Sequence, residues 1–171
     1  MDLTATYMAN GAGVLMMLLL LYVTRKNAQK KRLEDRLFFW MQICVLVACV
    51  AEPLSCLVDE KIFFASFFVS YFLNTLLFML NAVLSFCLLL YFDFALYGDK
   101  SRILKHYKPQ IIIAGVLLAA CIVNIFLPFI FSIDETNKYS RLPVSYVYFA
   151  TIFFYAASAW YTTYKCEKER G

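Results

Sequence analysis

The stretch Ser70-YFLNTLLFMLNAVLSFCLLLYFD-Phe94 is apolar almost throughout, with one formal charge, Asp93, beside its inner end. About 20 mostly apolar residues, rising about 1.5 Å each, are enough for a helix to cross about 30 Å of hydrocarbon. Lipid offers no partner to an unpaired backbone amide, so the crossing element must be a helix or a closed barrel. Barrel strands are short and alternate in polarity, whereas this run does not alternate. The decisive segment is therefore read as a transmembrane helix.

The same reading extends outward along the chain. Four more apolar runs qualify: about residues 7–24, 37–57, 109–133 and 144–164. The central run reaches back to Ile62 and on to Tyr97, too long for one straight crossing. An interfacial piece over 62–69 followed by a span over 70–94 is expected. Pro128 is expected to kink or end the fourth helix near its outer face. Composition agrees with a membrane chain. Of 171 residues, 63% are hydrophobic and only 16% charged, and mean hydropathy is +0.68. A water-soluble globule of this size lacks the interior to hide so much apolar side chain. The fold class is all-α, a polytopic membrane helix bundle of five transmembrane helices forming a single unit over 1–171.

Orientation follows from the basic residues, which concentrate in cytoplasmic loops. Arg25, Lys26, Lys30, Lys31, Arg32 and Arg36 follow the first span. Lys100, Arg102, Lys105 and Lys108 follow the third, and Lys165, Lys168 and Arg170 follow the fifth. Only Lys61, Lys138 and Arg141 fall on the other side. This predicts an N-terminus outside and a C-terminus in the cytoplasm. The first run carries its positive charge after the apolar stretch, so it reads as a signal-anchor rather than a cleaved signal peptide. Of the 17 Phe, 12 Tyr and 2 Trp, many fall at the expected interfaces, where an aromatic belt accounts for them.

Polar groups inside apolar runs are costly, so each is a candidate functional position. Asn10, Gln42, Asn74, Asn81 and Asn124 are neutral; Glu52 and Asp93 are ionisable. Asn74, Asn81 and Ser85, spaced by seven and four, share one helix face. They read as interhelical hydrogen bonding or as a polar stripe along a ligand path. Glu52 reads either as a hydrated end group or as one wall of an outward pocket against Arg141 or Lys138. Asp93 is expected to reach the cytoplasmic headgroups near Lys100 or Arg102. Gly11 and Gly13 permit close helix approach. The six cysteines show no CxxC or Cys/His grouping and read as buried thiols. His106 reads as a solvated loop residue. No catalytic, cofactor-binding or metal-binding motif is present in the sequence, and the positive charge is a membrane rather than a nucleic-acid signal.

Two stretches carry a resemblance. Tyr71-Phe-Leu-Asn74-Thr-Leu-Leu-Phe78-Met-Leu-Asn81 leads to Tyr91-Phe-Asp93, and Phe131-Ser-Ile-Asp134-Glu-Thr-Asn137-Lys-Tyr139-Ser-Arg141 leads into the fifth span. The chain resembles the N-terminal multi-pass region of bacterial GGDEF-domain proteins of the diguanylate cyclase type, especially those of Clostridia-type Firmicutes. That family pattern has an Asn-Thr-aromatic helix ending in Tyr-x-Asp, then an external Asn-x-Tyr-x-Arg-Gly loop. Leu142 stands here where glycine is usual, and the family's further spans and GGDEF domain do not follow. The resemblance implies a sensory or anchoring module of the bacterial inner membrane, non-catalytic by itself, acting as a homodimer with a cytoplasmic output domain that is either missing through truncation or encoded separately. It matches Asn74, Asn81, Asp93, Tyr139 and Arg141 to family positions. It leads to the expectation that Tyr139 and Arg141 order the external loop, with Glu52 nearby. The alternative is a small transporter or substrate-binding membrane subunit, which needs an enclosed midplane cavity around Asn74, Asn81 and Asn124. A third reading is an assembly partner with no ligand.

Overall fold

A computed structural model of the chain describes residues 3–27, 33–59 and 66–170. The readings that rest on Lys30, Lys31, Arg32, Lys61 and the first part of the expected interfacial piece, 62–65, lie outside these residues. The described chain forms six helices and one short hairpin: α1 (Leu3–Asn27), α2 (Leu33–Val58), α3 (Ser66–Tyr97), α4 (Lys100–His106), α5 (Lys108–Val123), β1 (Phe131–Ile133), β2 (Tyr139–Arg141) and α6 (Val144–Arg170).

Among the described residues, three helices are long and apolar enough to cross a membrane, over Thr4–Lys26, Leu33–Val58 and Ser66–Tyr97. α5 is apolar but only 16 residues long. α6 has 27 residues, but its tyrosines, several Ser and Thr, and a charged C-terminal end lower its hydropathy. The central helix α3 is continuous from Ser66, so residues 66–69 belong to it rather than to a separate interfacial piece. No proline or glycine interrupts its 32 residues. At helical rise they extend about 48 Å. Gly98 ends the helix. Its φ is 68°, the left-handed conformation suited to the position after a helix. Its amide donates to the Phe94 carbonyl at 2.8 Å.

The fourth apolar run is corrected more substantially. It is not one helix to residue 133. α5 stops at Val123, residues 124–130 turn, and Phe131–Ile133 pair antiparallel with Tyr139–Arg141. The reason is local. The Asn124 carboxamide accepts from the Phe129 amide at 2.8 Å and from the Ile130 amide at 2.7 Å. Pro128 has no amide to continue a helix. The apolar residues beyond that point serve a buried loop instead, with Phe131 fully enclosed.

Helix directions follow from cross-contacts. Asn10 meets Glu52 and Thr24 meets Gln42, so α1 and α2 are antiparallel. Phe38 packs on Tyr91 at one end of the α2–α3 pair. At the other end, residues of both helices line one cavity, so α3 runs against α2. The Cys121 thiol donates to the Tyr148 hydroxyl, and the Tyr148 hydroxyl donates to the Phe78 carbonyl. Phe86 packs on Tyr155, whose hydroxyl donates to the Gln110 carbonyl at 2.8 Å. α5 thus returns antiparallel to α3, and α6 runs parallel to it. α3 is the hub, with α2, α5 and α6 packed around it. One core cluster joins Phe78, Ala82, Cys121, Phe131 and Tyr148 beside the hairpin; another joins Leu89, Ala114, Tyr155 and Ala159.

Candidate functional site

Helical periodicity builds the first half of the site. Ala48, Glu52, Ser55 and Cys56 repeat on one face of α2, and Asp59 follows at the helix end. Asn74, Leu77, Phe78 and Asn81 repeat on the facing side of α3. Strand periodicity adds Tyr139 and Arg141, two apart on β2 and therefore on one side of the strand. Phe149 of α6 completes a cavity of about 440 Å³. Five of the seven residues singled out from sequence, Glu52, Asn74, Asn81, Tyr139 and Arg141, line this one cavity.

Each wall is held in place. Glu52 Oε2 accepts from Asn10 Nδ2 at 3.2 Å, and Asn74 Nδ2 donates to the Ser70 carbonyl at 2.9 Å. The Asn81 carbonyl accepts from the Ser85 hydroxyl at 2.8 Å. The hairpin is tied to the end of α2 by two long-range bonds. The Tyr139 amide donates to Asp59 Oδ1 at 2.9 Å, and Asn137 Nδ2 donates to the Val58 carbonyl at 2.6 Å. Asn137 takes the left-handed conformation, with φ 60°, which Asn tolerates well.

The turn before β2 is organised by Asp134. Its Oδ1 accepts from the Thr136 hydroxyl and amide and from the Lys138 amide. The Thr136 hydroxyl, then the Lys138 amide, hold the Asp134 carboxyl below the usual carboxylate range. Arg141 lies beside the Tyr139 phenol. Its guanidinium carbon lies 5.5 Å from the Phe149 ring centroid, within cation–π range. Burial pushes the Tyr139 phenol up, against the opposing effect of Arg141.

The cavity therefore combines two carboxylates, one guanidinium, two carboxamides and three aromatic walls. It can present donors and acceptors of both signs to a small polar molecule. Glu52 does line a pocket with Arg141, yet its hydrogen-bond partner is Asn10. Lys138 does not line the cavity.

The other two predicted positions lie elsewhere. Asn124 is fully buried beneath the loop it closes and does not line the cavity. Asp93 is at the opposite end of α3. It does not reach outward to headgroups but is fully buried. Its Oδ1 accepts from Arg102 Nε at 3.1 Å and from the Tyr107 hydroxyl at 2.9 Å. Tyr107 in turn lies 3.3 Å from Thr162 Oγ1. Arg102 is among the expected partners; Tyr107 and Thr162 are not. Sequence reading also misses Asp59 as an anchor of the hairpin. Its position at the end of α2 is the available signal, but its partner is 80 residues away.

Compared with protein-family models, curated proteins and solved structures, the chain matches none. The resemblance to GGDEF-associated membrane regions therefore rests on the residues quoted above.

Proposed function

We propose that the chain is a non-enzymatic sensory module of the bacterial cell membrane. It crosses the membrane five times, with the N-terminus outside and the C-terminus in the cytoplasm. The cavity between α2, α3 and the hairpin receives a small polar molecule from outside. The observation that carries this reading is the convergence of Glu52, Asn74, Asn81, Tyr139 and Arg141 on one cavity at one end of the bundle. Intramembrane and interfacial polar groups are expensive to maintain, and a ligand site is a common reason for grouping them.

The up-and-down order of α1, α2, α3, α5 and α6 supports five passes. Arg25, Lys26, Arg36, Arg102, Lys105, Lys108, Lys165 and Lys168 all belong to the end opposite the cavity, where the positive-inside tendency puts the cytoplasm. α5 is short for a full crossing, and the apolar segment 124–131, whose Ile125, Phe126 and Leu127 are exposed as a lipid-facing surface would be, completes the depth of its pass. Binding between the hairpin and α2 would bias the position of α3, the hub helix, and so reach the Asp93–Arg102 end. Following the resemblance, the module works as a homodimer and hands its signal to a cytoplasmic output domain. The transporter reading needs Asn124 in the same cavity, and Asn124 is used elsewhere, so the sensory reading is preferred.

Thermal unfolding of the purified chain in nanodiscs, against a panel of amino acids, amines and small carboxylates, tests the reading. A binder at 100 times its Kd adds about 2.7 kcal/mol of stability. At least one compound should raise the midpoint of the wild type but not of Arg141→Gln, and reconstituted vesicles should not accumulate it. A panel that fails to distinguish wild type from Arg141→Gln contradicts the reading. Uptake of the compound by the vesicles would favour the transporter.

A further inference from the structure

A second cleft opens at the opposite end of the bundle, between the α4–α5 junction and α6. Its volume is about 410 Å³, and Arg102, His106 and Lys165 line it beside the hydroxyls of Ser158 and Tyr161. None of the described residues lining it is acidic. Arg102 and Lys165 supply the formal positive charges of the lining, and Arg102 is paired with the buried Asp93 behind it.

Arg102 is held ready for an anion. Its Nε–H is given to Asp93 at 3.1 Å, and its guanidinium carbon lies 3.6 Å from the Tyr97 ring centroid. A guanidinium fixed through Nε still has two terminal amino groups, whose fork matches phosphate oxygens. Tyr107 completes the clamp by donating to the same carboxylate oxygen of Asp93. Lys105, Lys108 and Lys168 are exposed nearby in the chain and raise the local concentration of anions. On the α6 side the cleft runs onto Phe154 and Ala157, both exposed on the flank of the helix. An acyl chain could follow that apolar flank. Basic pockets between membrane helices at the cytoplasmic face are a recurrent setting for lipid phosphate groups.

We propose that this cleft binds a phosphate group, carried by an anionic phospholipid headgroup or by a free phosphate compound. The site is separate from the outward cavity and does not depend on its ligand. The test uses the full chain in nanodiscs and two double variants, of which the control removes two formal positive charges and the cleft variant one, so that bulk charge alone would weaken the control more. His106→Ala/Lys165→Gln removes cleft residues whose side chains are exposed; Lys105→Gln/Lys168→Gln removes exposed lysines outside the cleft lining. In one arm, native mass spectrometry counts phosphatidylglycerol retained from a mixed phosphatidylcholine/phosphatidylglycerol bilayer. In the other, inorganic phosphate is titrated against thermal unfolding in pure phosphatidylcholine.

Retention of phosphatidylglycerol should fall about tenfold or more in the cleft variant, the loss expected for one charge-assisted contact, and hold in the control. That outcome assigns the phosphate to lipid. A phosphate-dependent rise in midpoint that the cleft variant loses and the control keeps, without any lipid preference, assigns it to a soluble compound. Equal losses in both variants, or no loss in either arm, would overturn the proposal.

Discussion

Asn124 commits its whole carboxamide to one loop. Oδ1 accepts from the amides of Phe129 and Ile130, with Phe131 at a longer 3.4 Å, and Nδ2 donates to the Phe131 carbonyl at 3.1 Å. The residue is fully buried, so no water replaces those bonds when the side chain is removed. Leaving one buried amide unpaired costs about 1–3 kcal/mol. Asn124→Ala should therefore destabilise the protein by about 3 kcal/mol in denaturant titration of the detergent-solubilised chain. It should also loosen the hairpin while leaving α1 and α2 intact. A loss below about 0.5 kcal/mol, the range of an ordinary surface change, would contradict this role. In the sequence, Asn124 is visible only as a polar residue inside an apolar run. Its function depends on amides five to seven residues later folding back, which no helical spacing reveals. Asp93 is similar: its charge is legible, but its burial depends on Tyr107, which reaches it from beyond α4.

At the scale of elements, the long apolar helices are legible because composition and length alone decide them. α3 also shows its cavity-lining face, since Asn74 and Asn81 are two turns apart and the cavity lies along that line. The fourth run misleads because hydropathy does not distinguish a membrane helix from an apolar loop and a buried strand. The Asn124–Pro128 pair is the signal of the change. Tyr139 is found through a resemblance, and Arg141 both through it and as one of two cations offered to Glu52, because nothing local places a hairpin against the end of α2.

The contact between α1 and α2 gives a prediction of its own. A Cβ on Gly13 would lie 2.9 Å from the Cys49 sulfur, whereas one on Gly11 would meet nothing within 4 Å. Gly13→Val should separate the two helices, weaken the Asn10–Glu52 and Thr24–Gln42 bonds, and cost about 2 kcal/mol. Gly11→Ala should leave stability unchanged or slightly raised, because alanine favours the helix. Thermal unfolding of the two variants side by side checks the difference; equal midpoints would show that the close approach does not hold the pair together.

For the whole molecule, the two ends differ in chemistry. One end carries the hairpin and the mixed-charge cavity; the other carries the Asp93–Arg102–Tyr107 cluster amid basic residues. Large aromatic side chains such as Trp40, Trp160 and Tyr164 are exposed on the flanks, as expected where a helix surface meets the membrane interface. The five-pass reading makes these ends the outer and cytoplasmic faces. α1 is largely exposed along its length, so in this reading its surface is covered by lipid or by a second copy.

Cysteine labelling in intact cells tests the central claim most directly. In a background with all six native cysteines replaced, Glu135→Cys in the hairpin turn and Lys168→Cys near the end of α6 are treated with a membrane-impermeant maleimide. The account predicts that position 135 labels in intact cells and that position 168 labels only after the membrane is opened. Labelling of position 168 in intact cells, or protection of position 135 until lysis, would contradict an outward cavity on a five-pass bundle.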